Sequence, residues 1–174
     1  MEARPHPVVP VNQLGGLAAV AARSTTDAWA SGDVNGAGLL EHWNGSTWNT
    51  VAGALGSTYL SDVATAPGGV VWAVGSEYDG NTGVTKTFAG GDPLHAVLAR
   101  SAKDVWAVGY GGATIGTDNT HAVVEHWNGA KWTYSSAGPS FFGSIAENPA
   151  NGRLWAAGYV ETTDHFNTLL KAHS

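Results

Sequence analysis

The sequence predicts an all-β fold built from repeated antiparallel units. A Trp-Ala-x-Gly segment recurs at intervals that are typical of propellers and solenoids, and an apolar segment precedes each copy. The copies begin at Trp29, Trp72, Trp106 and Trp155. The other segments are short, rich in Val, Trp and Thr, and bounded by Gly, Asn, Asp and Pro, as is typical of strands. Apolar spacing of the helical kind never continues for three turns, so strands are predicted throughout.

Each complete unit is predicted to contain an apolar first strand, a Trp-Ala-x-Gly strand, a Glu-His-Trp strand and an outer strand. The first strands are residues 17–22, 60–65, 94–99 and 142–147, in which Val20, Val63, Val97 and Ile145 form one column. The Ala-rich run 17–22 has helical propensity, but it is too short for a stable helix, so a strand is predicted there as well.

Two Asn-Gly pairs predict tight hairpins. Asn44-Gly45 would pair residues 39–43 with 47–51, and Asn128-Gly129 would pair 123–127 with 132–135. A type I′ turn is expected at both, which requires positive φ at the two central residues. The glycine that ends each Trp-Ala-x-Gly segment is interpreted as the point where the chain bends out into a loop.

Four-stranded antiparallel units repeated around an axis form a β-propeller. We therefore predict one domain, residues 1–174, that forms a small propeller of about four blades. The repeat units are 17–58, 59–93, 94–141 and 142–174, and the Trp column would supply apolar plates between blades. The fourth unit has no outer strand, so the N-terminal segment 7–14, whose prolines suit an edge strand, is expected to complete it. The second unit is short and is expected to lack its fourth strand.

Composition excludes several function classes. The net charge of −6, with 8 Lys and Arg residues, would repel phosphate groups, so neither nucleic acid nor a membrane is an expected partner. No Cys is present, which excludes disulfides and thiolate ligands. Charged residues make up 13% of the chain, about half the usual ~25%. A surface wetted by uncharged polar residues suits a secreted protein, although no leader is visible, and a cytoplasmic location is the alternative.

The pattern S-x-x-D-V-W-A-V-G … E-H-W-N-G-x-x-W, found at residues 101–132, resembles the kelch-like propeller repeats of many bacterial, often secreted, proteins. These repeats are related to the central domain of galactose oxidase-like proteins, and the resemblance extends over residues 17–174. It implies a propeller that serves as a binding platform. Such propellers usually have more than four blades, so a complete small propeller, half of a homodimeric ring and a piece of a longer protein all remain open. The copper ligands of the oxidase are not recognisable, so its activity is not implied.

Residues that differ between units are the candidates for function, because a scaffold role would repeat. Most lie after the Trp-Ala-x-Gly strands, in loops that a propeller would place on one face, and loops on a rigid scaffold often carry function. The candidate ligand-binding residues are Tyr78, Asp79, Tyr110, Asp118, His121, Glu161, His165 and His95. His95 belongs to a first strand, in a column otherwise occupied by Ala18, Ser61 and Gly143. His42 and His126 occur at equivalent positions in two units and are interpreted as structural.

The predicted function is non-enzymatic binding of a carbohydrate or another polar ligand through this face, by a monomer or homodimer. Aromatic rings and carboxylates suit such ligands. A small acid–base enzyme of the lyase, isomerase or cyclase type is the first alternative. Its candidate catalytic residues are His121, His165, Asp118, Glu161 and Asp164. No organic cofactor is expected, and no spacing matches a metal motif. The second alternative is a structural half-ring that assembles into a larger propeller.

Overall fold

The computed structural model describes residues 15–51, 55–57, 59–76, 92–112, 120–161 and 166–173. All regular elements in this part of the chain are β-strands. They are β1 Gly15–Ser24, β2 Asp27–Val34, β3 Ala37–Trp43, β4 Trp48–Thr50, β5 Leu55–Ser57, β6 Tyr59–Thr65, β7 Val71–Ser76, β8 Leu94–Ser101, β9 Asp104–Gly111, β10 His121–Trp127, β11 Trp132–Ala137, β12 Ser140–Glu147, β13 Leu154–Glu161 and β14 Phe166–His173. Across these ranges no helix has the length and apolarity that a membrane span requires.

The strands form four antiparallel sheets that follow the four sequence repeats. The first sheet has the order β1-β2-β3-β4, with β5 also paired to β3, and the second consists of β6-β7. The third has the order β11-β10-β9-β8, and the fourth β12-β13-β14. Strand order follows chain order, because short connections join antiparallel neighbours. The all-β prediction is confirmed. The predicted strand at 7–14 lies outside the described residues, so completion of the fourth sheet stays a prediction.

Consecutive sheets pack face against face. β6 contacts β1 and β2, β8 contacts β6 and β7, and β12 contacts β8 and β9. One hydrophobic cluster fills each of these interfaces. Trp72, which is 1% exposed, is the largest fully buried side chain among the described residues and lies between the second and third sheets beside Val97 and Val105. In the described ranges, extensive contacts between sheets join consecutive sheets only.

A β-bulge interrupts the first strand of every sheet at the same column. The register shifts leave Ala18, Ser61, His95 and Gly143 as the bulged residues. The glycine of each Trp-Ala-x-Gly segment faces this bulge. A Cβ at Gly109 would lie 2.0 Å from the Pro93 carbonyl oxygen, and a Cβ at Gly158 would lie 1.7 Å from that of Phe141. Close backbone approach inside the sheet therefore requires these glycines.

The prediction that the chain leaves the sheet at these glycines is wrong. β2 continues to Val34, β9 to Gly111 and β13 to Glu161. The residue that follows each glycine is therefore held in a strand, and Tyr110 still donates its backbone N–H to the Pro93 carbonyl at 3.2 Å.

The two Asn-Gly hairpins pair as predicted, but their turns differ from the prediction. Trp43 pairs with Trp48, and Trp127 pairs with Trp132. Gly45 and Gly129 have φ of 96° and 91°, whereas neither preceding Asn has positive φ, so the type I′ prediction is wrong. The Asn side chains shape these turns instead. Asn44 Oδ1 accepts the backbone N–H groups of Ser46 and Thr47, both at 3.0 Å, and Asn128 Oδ1 does the same for Ala130 and Lys131.

A two-residue turn with positive φ at both positions occurs at Asn35-Gly36, which joins β2 to β3. The first of the loops that the sequence predicts after the Trp-Ala-x-Gly segments is therefore a two-residue turn between paired strands. Asp33 and Gly38 are paired strand residues.

Candidate functional site

Four aromatic rings from the third and fourth sheets form a row at the end of the sheets where β9 and β13 finish. The His95 ring lies 5.1 Å from the Tyr110 ring with an interplanar angle of 16°. The Tyr110 ring lies 5.0 Å from Phe141, which stacks on Tyr159 at 4.9 Å and 15°. All four side chains are partly buried. We call these four residues the aromatic ledge.

His95 joins the aromatic ledge because of the bulge in β8. A bulge changes the direction of a side chain and is common beside active sites. The other three sheets place a small residue in this column, whereas the third sheet places an imidazole that contacts both Tyr110 and Phe141. Its Nε2 atom is buried and has no hydrogen-bond partner among the described residues. Buried polar atoms without a partner are uncommon in native folds.

Burial lowers the pKa of His95 below its ordinary value, because a desolvated imidazolium is disfavoured. The ring is therefore neutral at neutral pH, and it presents an uncharged aromatic face rather than a cation.

His95 should make the protein less stable in mild acid. The unfolded chain takes up a proton near the ordinary pKa of about 6.5, whereas the folded chain takes it up only at lower pH. The unfolded state thus binds more protons in this window, so the free energy of unfolding falls as the pH falls through it. Urea denaturation at several pH values between about 7 and 5 would measure this loss. His95→Phe keeps a stacking ring and should show a smaller loss, and identical pH profiles for the two proteins would contradict the assignment.

A polar cluster lies at the same end of the third sheet. The Tyr134 hydroxyl donates to Asp92 Oδ2 at 3.1 Å and lies 3.0 Å from His121 Nε2, which is 3.6 Å from the same carboxylate oxygen. Because the single hydroxyl proton goes to Asp92, His121 Nε2 is the donor in its bond to Tyr134. Partial burial and the Asp92 carboxylate raise the pKa of Tyr134, which keeps the phenol protonated. We call Asp92, His121 and Tyr134 the polar trio.

Gly111 makes room for the polar trio. A Cβ at this position would lie 2.4 Å from His121 Nε2 and 2.6 Å from the Asp92 carboxyl group. Any larger residue would push these side chains apart.

The structure brings together two of the predicted site residues, His95 and Tyr110. His121 lies at the same end of the third sheet but on its other face. Strand alternation places Tyr110 with Val108, which packs towards the fourth sheet, and His121 with Val123, which packs towards the second. Tyr110 and His121 belong to strands β9 and β10 rather than to the loop between them.

Of the remaining predicted site residues, Glu161 lies within the described ranges, where it ends β13. Tyr78, Asp79, Asp118, Asp164 and His165 lie outside the described residues. Within the described ranges, no group of three or more His, Asp or Glu side chains is placed to hold a metal ion.

Four residues of the ledge and the trio are not among the predicted site residues, namely Phe141, Tyr159, Asp92 and Tyr134. Tyr159 carried a usable signal, because Trp-Ala-x-Gly-Tyr occurs in both the third and the fourth unit. Phe141, Asp92 and Tyr134 carried no such signal in the sequence, because each contacts its partners across a sheet or between sheets.

A repeated network at the opposite end of the sheets explains the two Glu-His-Trp histidines. In the third sheet, Asp104 Oδ1 accepts from Trp106 Nε1 at 3.0 Å and lies 2.9 Å from His126 Nε2, while Arg100 donates to Oδ2 at 3.1 Å. The His126 ring also stacks on Trp106 with centroids 4.0 Å apart. Arg100 further binds Glu147 of the fourth sheet at 3.0 Å. The network thus joins strands within a sheet and also joins two sheets.

The first sheet repeats this arrangement with Arg23, Asp27, Trp29 and His42. The neighbouring glutamates, Glu41 and Glu125, are 2% and 1% exposed and lie on the other face of their strands. This duplication supports a structural role for His42 and His126. The signal in the sequence is Arg-Ser-x-x-Asp-x-Trp, which occurs twice and supplies the Arg, Asp and Trp of each network.

A comparison with known proteins found no match for this chain among family models, curated proteins or solved structures.

Proposed function

We propose that the chain forms a β-propeller-type binding module whose aromatic ledge binds a carbohydrate or another polar, ring-shaped ligand without catalysis. The observation that carries the proposal is the row of four partly buried rings from His95 to Tyr159. Four antiparallel sheets that pack in chain order support the propeller arrangement.

The chemistry of the ledge suits a sugar. One face of a sugar ring carries C–H groups, which pack on the negatively polarised face of an aromatic ring. Binding sites typically combine such apolar surfaces with a few polar groups that set orientation. The neutral His95 imidazole extends this aromatic surface without adding a charge.

Tyr110→Ala should weaken binding roughly ten-fold or more, because aromatic side chains dominate the free energy of such contacts. A glycan array would identify a binding sugar, and calorimetry would then compare the variants. Tyr59→Ala is the matched control, since Tyr59 is 56% exposed and belongs to the second sheet. Unchanged affinity in a folded Tyr110→Ala protein would contradict the proposal.

The polar trio supports a second candidate, a small acid–base enzyme. His121 and Asp92 are within reach of one another, and Tyr134 adds a protonated hydroxyl. The two candidates make different predictions for His121→Ala. Under the binding proposal this variant keeps its ligand affinity, whereas an enzyme would lose turnover and its bell-shaped pH profile.

A further inference from the structure

Among the residues that the structure describes, two sheet faces lack the covering that equivalent faces have in the other sheets. The first two interfaces between sheets follow one rule. The Trp of one sheet lies in the same hydrophobic cluster as the column Val of the next, as Trp29 does with Val63 and Trp72 with Val97. Val63 and Val97 are only 4% and 7% exposed as a result. At the third interface, Val108, on the same strand face as Trp106, lies in one cluster with the column residue Ile145.

In the first sheet, the face that carries the column Val is not covered by another sheet of the described ranges. Ala19 and Ala21 of β1 face the second sheet, so strand alternation directs Val20 to the opposite side. Val20 is 67% exposed, although it occupies the same column as Val63 and Val97. Leu17 of the same strand is 46% exposed.

In the fourth sheet, the uncovered face is the one that carries the Trp of the Trp-Ala-x-Gly segment. Ile145 and Ala156 face the third sheet, so Trp155 and Ala157 lie on the other face. Ala157 is exposed, whereas its equivalents Ser31, Val74 and Val108 are at most 1% exposed. Ser144 and Ala146 of β12, which pair with Ala157 and Trp155, are exposed on the same side.

We propose that these two faces bind each other between two copies of the chain. The Trp155 face of one copy would cover the Val20 face of the other, and the same contact made in return would close a ring. The occupant follows from continuity, because each interface between the described sheets already joins the Trp-bearing face of one sheet to the face of the next that carries the column residue Val63, Val97 or Ile145. A contact between unlike faces forms a closed assembly when its rotation closes. Two copies would contribute eight sheets, within the roughly four to eight blades typical of propellers.

The test measures the molar mass of the full chain in solution by light scattering and sedimentation. The wild-type protein should have the mass of two chains. Val20→Asp places a carboxylate in one face and should reduce the mass to that of one chain, and Ala157→Asp should do so through the other face. Ala130→Asp, at an exposed turn position, is the control and should remain a dimer. Circular dichroism and thermal unfolding would verify that each variant is folded.

Mixing the two interface variants decides how the faces pair. The Val20→Asp copy keeps an intact Trp155 face, and the Ala157→Asp copy keeps an intact Val20 face. An equimolar mixture should therefore recover the mass of two chains through one contact. A monomeric wild-type protein would overturn the proposal and would be the result if the chain closed on itself. A dimer that persists in folded Ala157→Asp would also overturn it, since Val20 faces would then pair with each other.

Discussion

Trp72→Ala is expected to lower the free energy of unfolding by about 3–5 kcal/mol, the range for removing a large buried aromatic side chain. Trp72 is 1% exposed and fills the interface between the second and third sheets. Its ring lies 5.6 Å from Trp132 in an edge-on arrangement and 6.1 Å from Trp127. The substitution would leave a cavity lined by strands of two sheets, which cannot collapse without moving one sheet against the other. Chemical denaturation followed by circular dichroism would measure the change.

Tyr59→Ala provides the comparison for Trp72→Ala. Tyr59 also belongs to the second sheet, but it is 56% exposed, so its removal should cost less than about 1 kcal/mol. If both substitutions had similarly small effects, the packing of the second sheet on the third would be wrong.

Gly109→Ala is expected to destabilise the protein by about 3 kcal/mol or more, at the upper end of the range for overpacking. The new Cβ would lie 2.0 Å from the Pro93 carbonyl oxygen and 2.8 Å from the Leu94 Cα. Both are backbone atoms, so no side-chain rotation relieves the clash, and β8 must move away from β9. That movement would also displace His95 and Tyr110. A changed His95 titration by NMR should therefore accompany the loss of stability.

Gly16→Ala is the matched control for this substitution. A Cβ at Gly16 would meet nothing within 4 Å, and Gly16 is an exposed strand residue. Because Ala loses less backbone entropy than Gly on folding, the variant should be neutral or more stable by about 0.5–1 kcal/mol. Equal destabilisation of the two variants would show that the bulge does not bring the strands as close as described.

The aromatic ledge was only partly predictable from the sequence. His95 could be singled out because it breaks a column of small residues, and Tyr110 because it follows a Trp-Ala-x-Gly segment. Their 5.1 Å stacking depends on the bulge at His95, which adds one residue to β8 and redirects its side chain. Phe141 reaches them from a different sheet, and no pattern within one unit contains that contact.

The sequence by itself determined the all-β class, the hairpin pairing and the division into four sheets, because each depends on neighbours in the chain. Repetition of Trp-Ala-x-Gly and the Asn-Gly turns carries that information locally. Only the tertiary structure decided why the repeated glycines are needed, since the close approach arises across strands at the bulge. It also decided that Val20 is exposed, whereas Val63 and Val97 of the same column are buried. Burial depends on which sheet packs on a face, and identical residues in a repeat therefore acquire different roles.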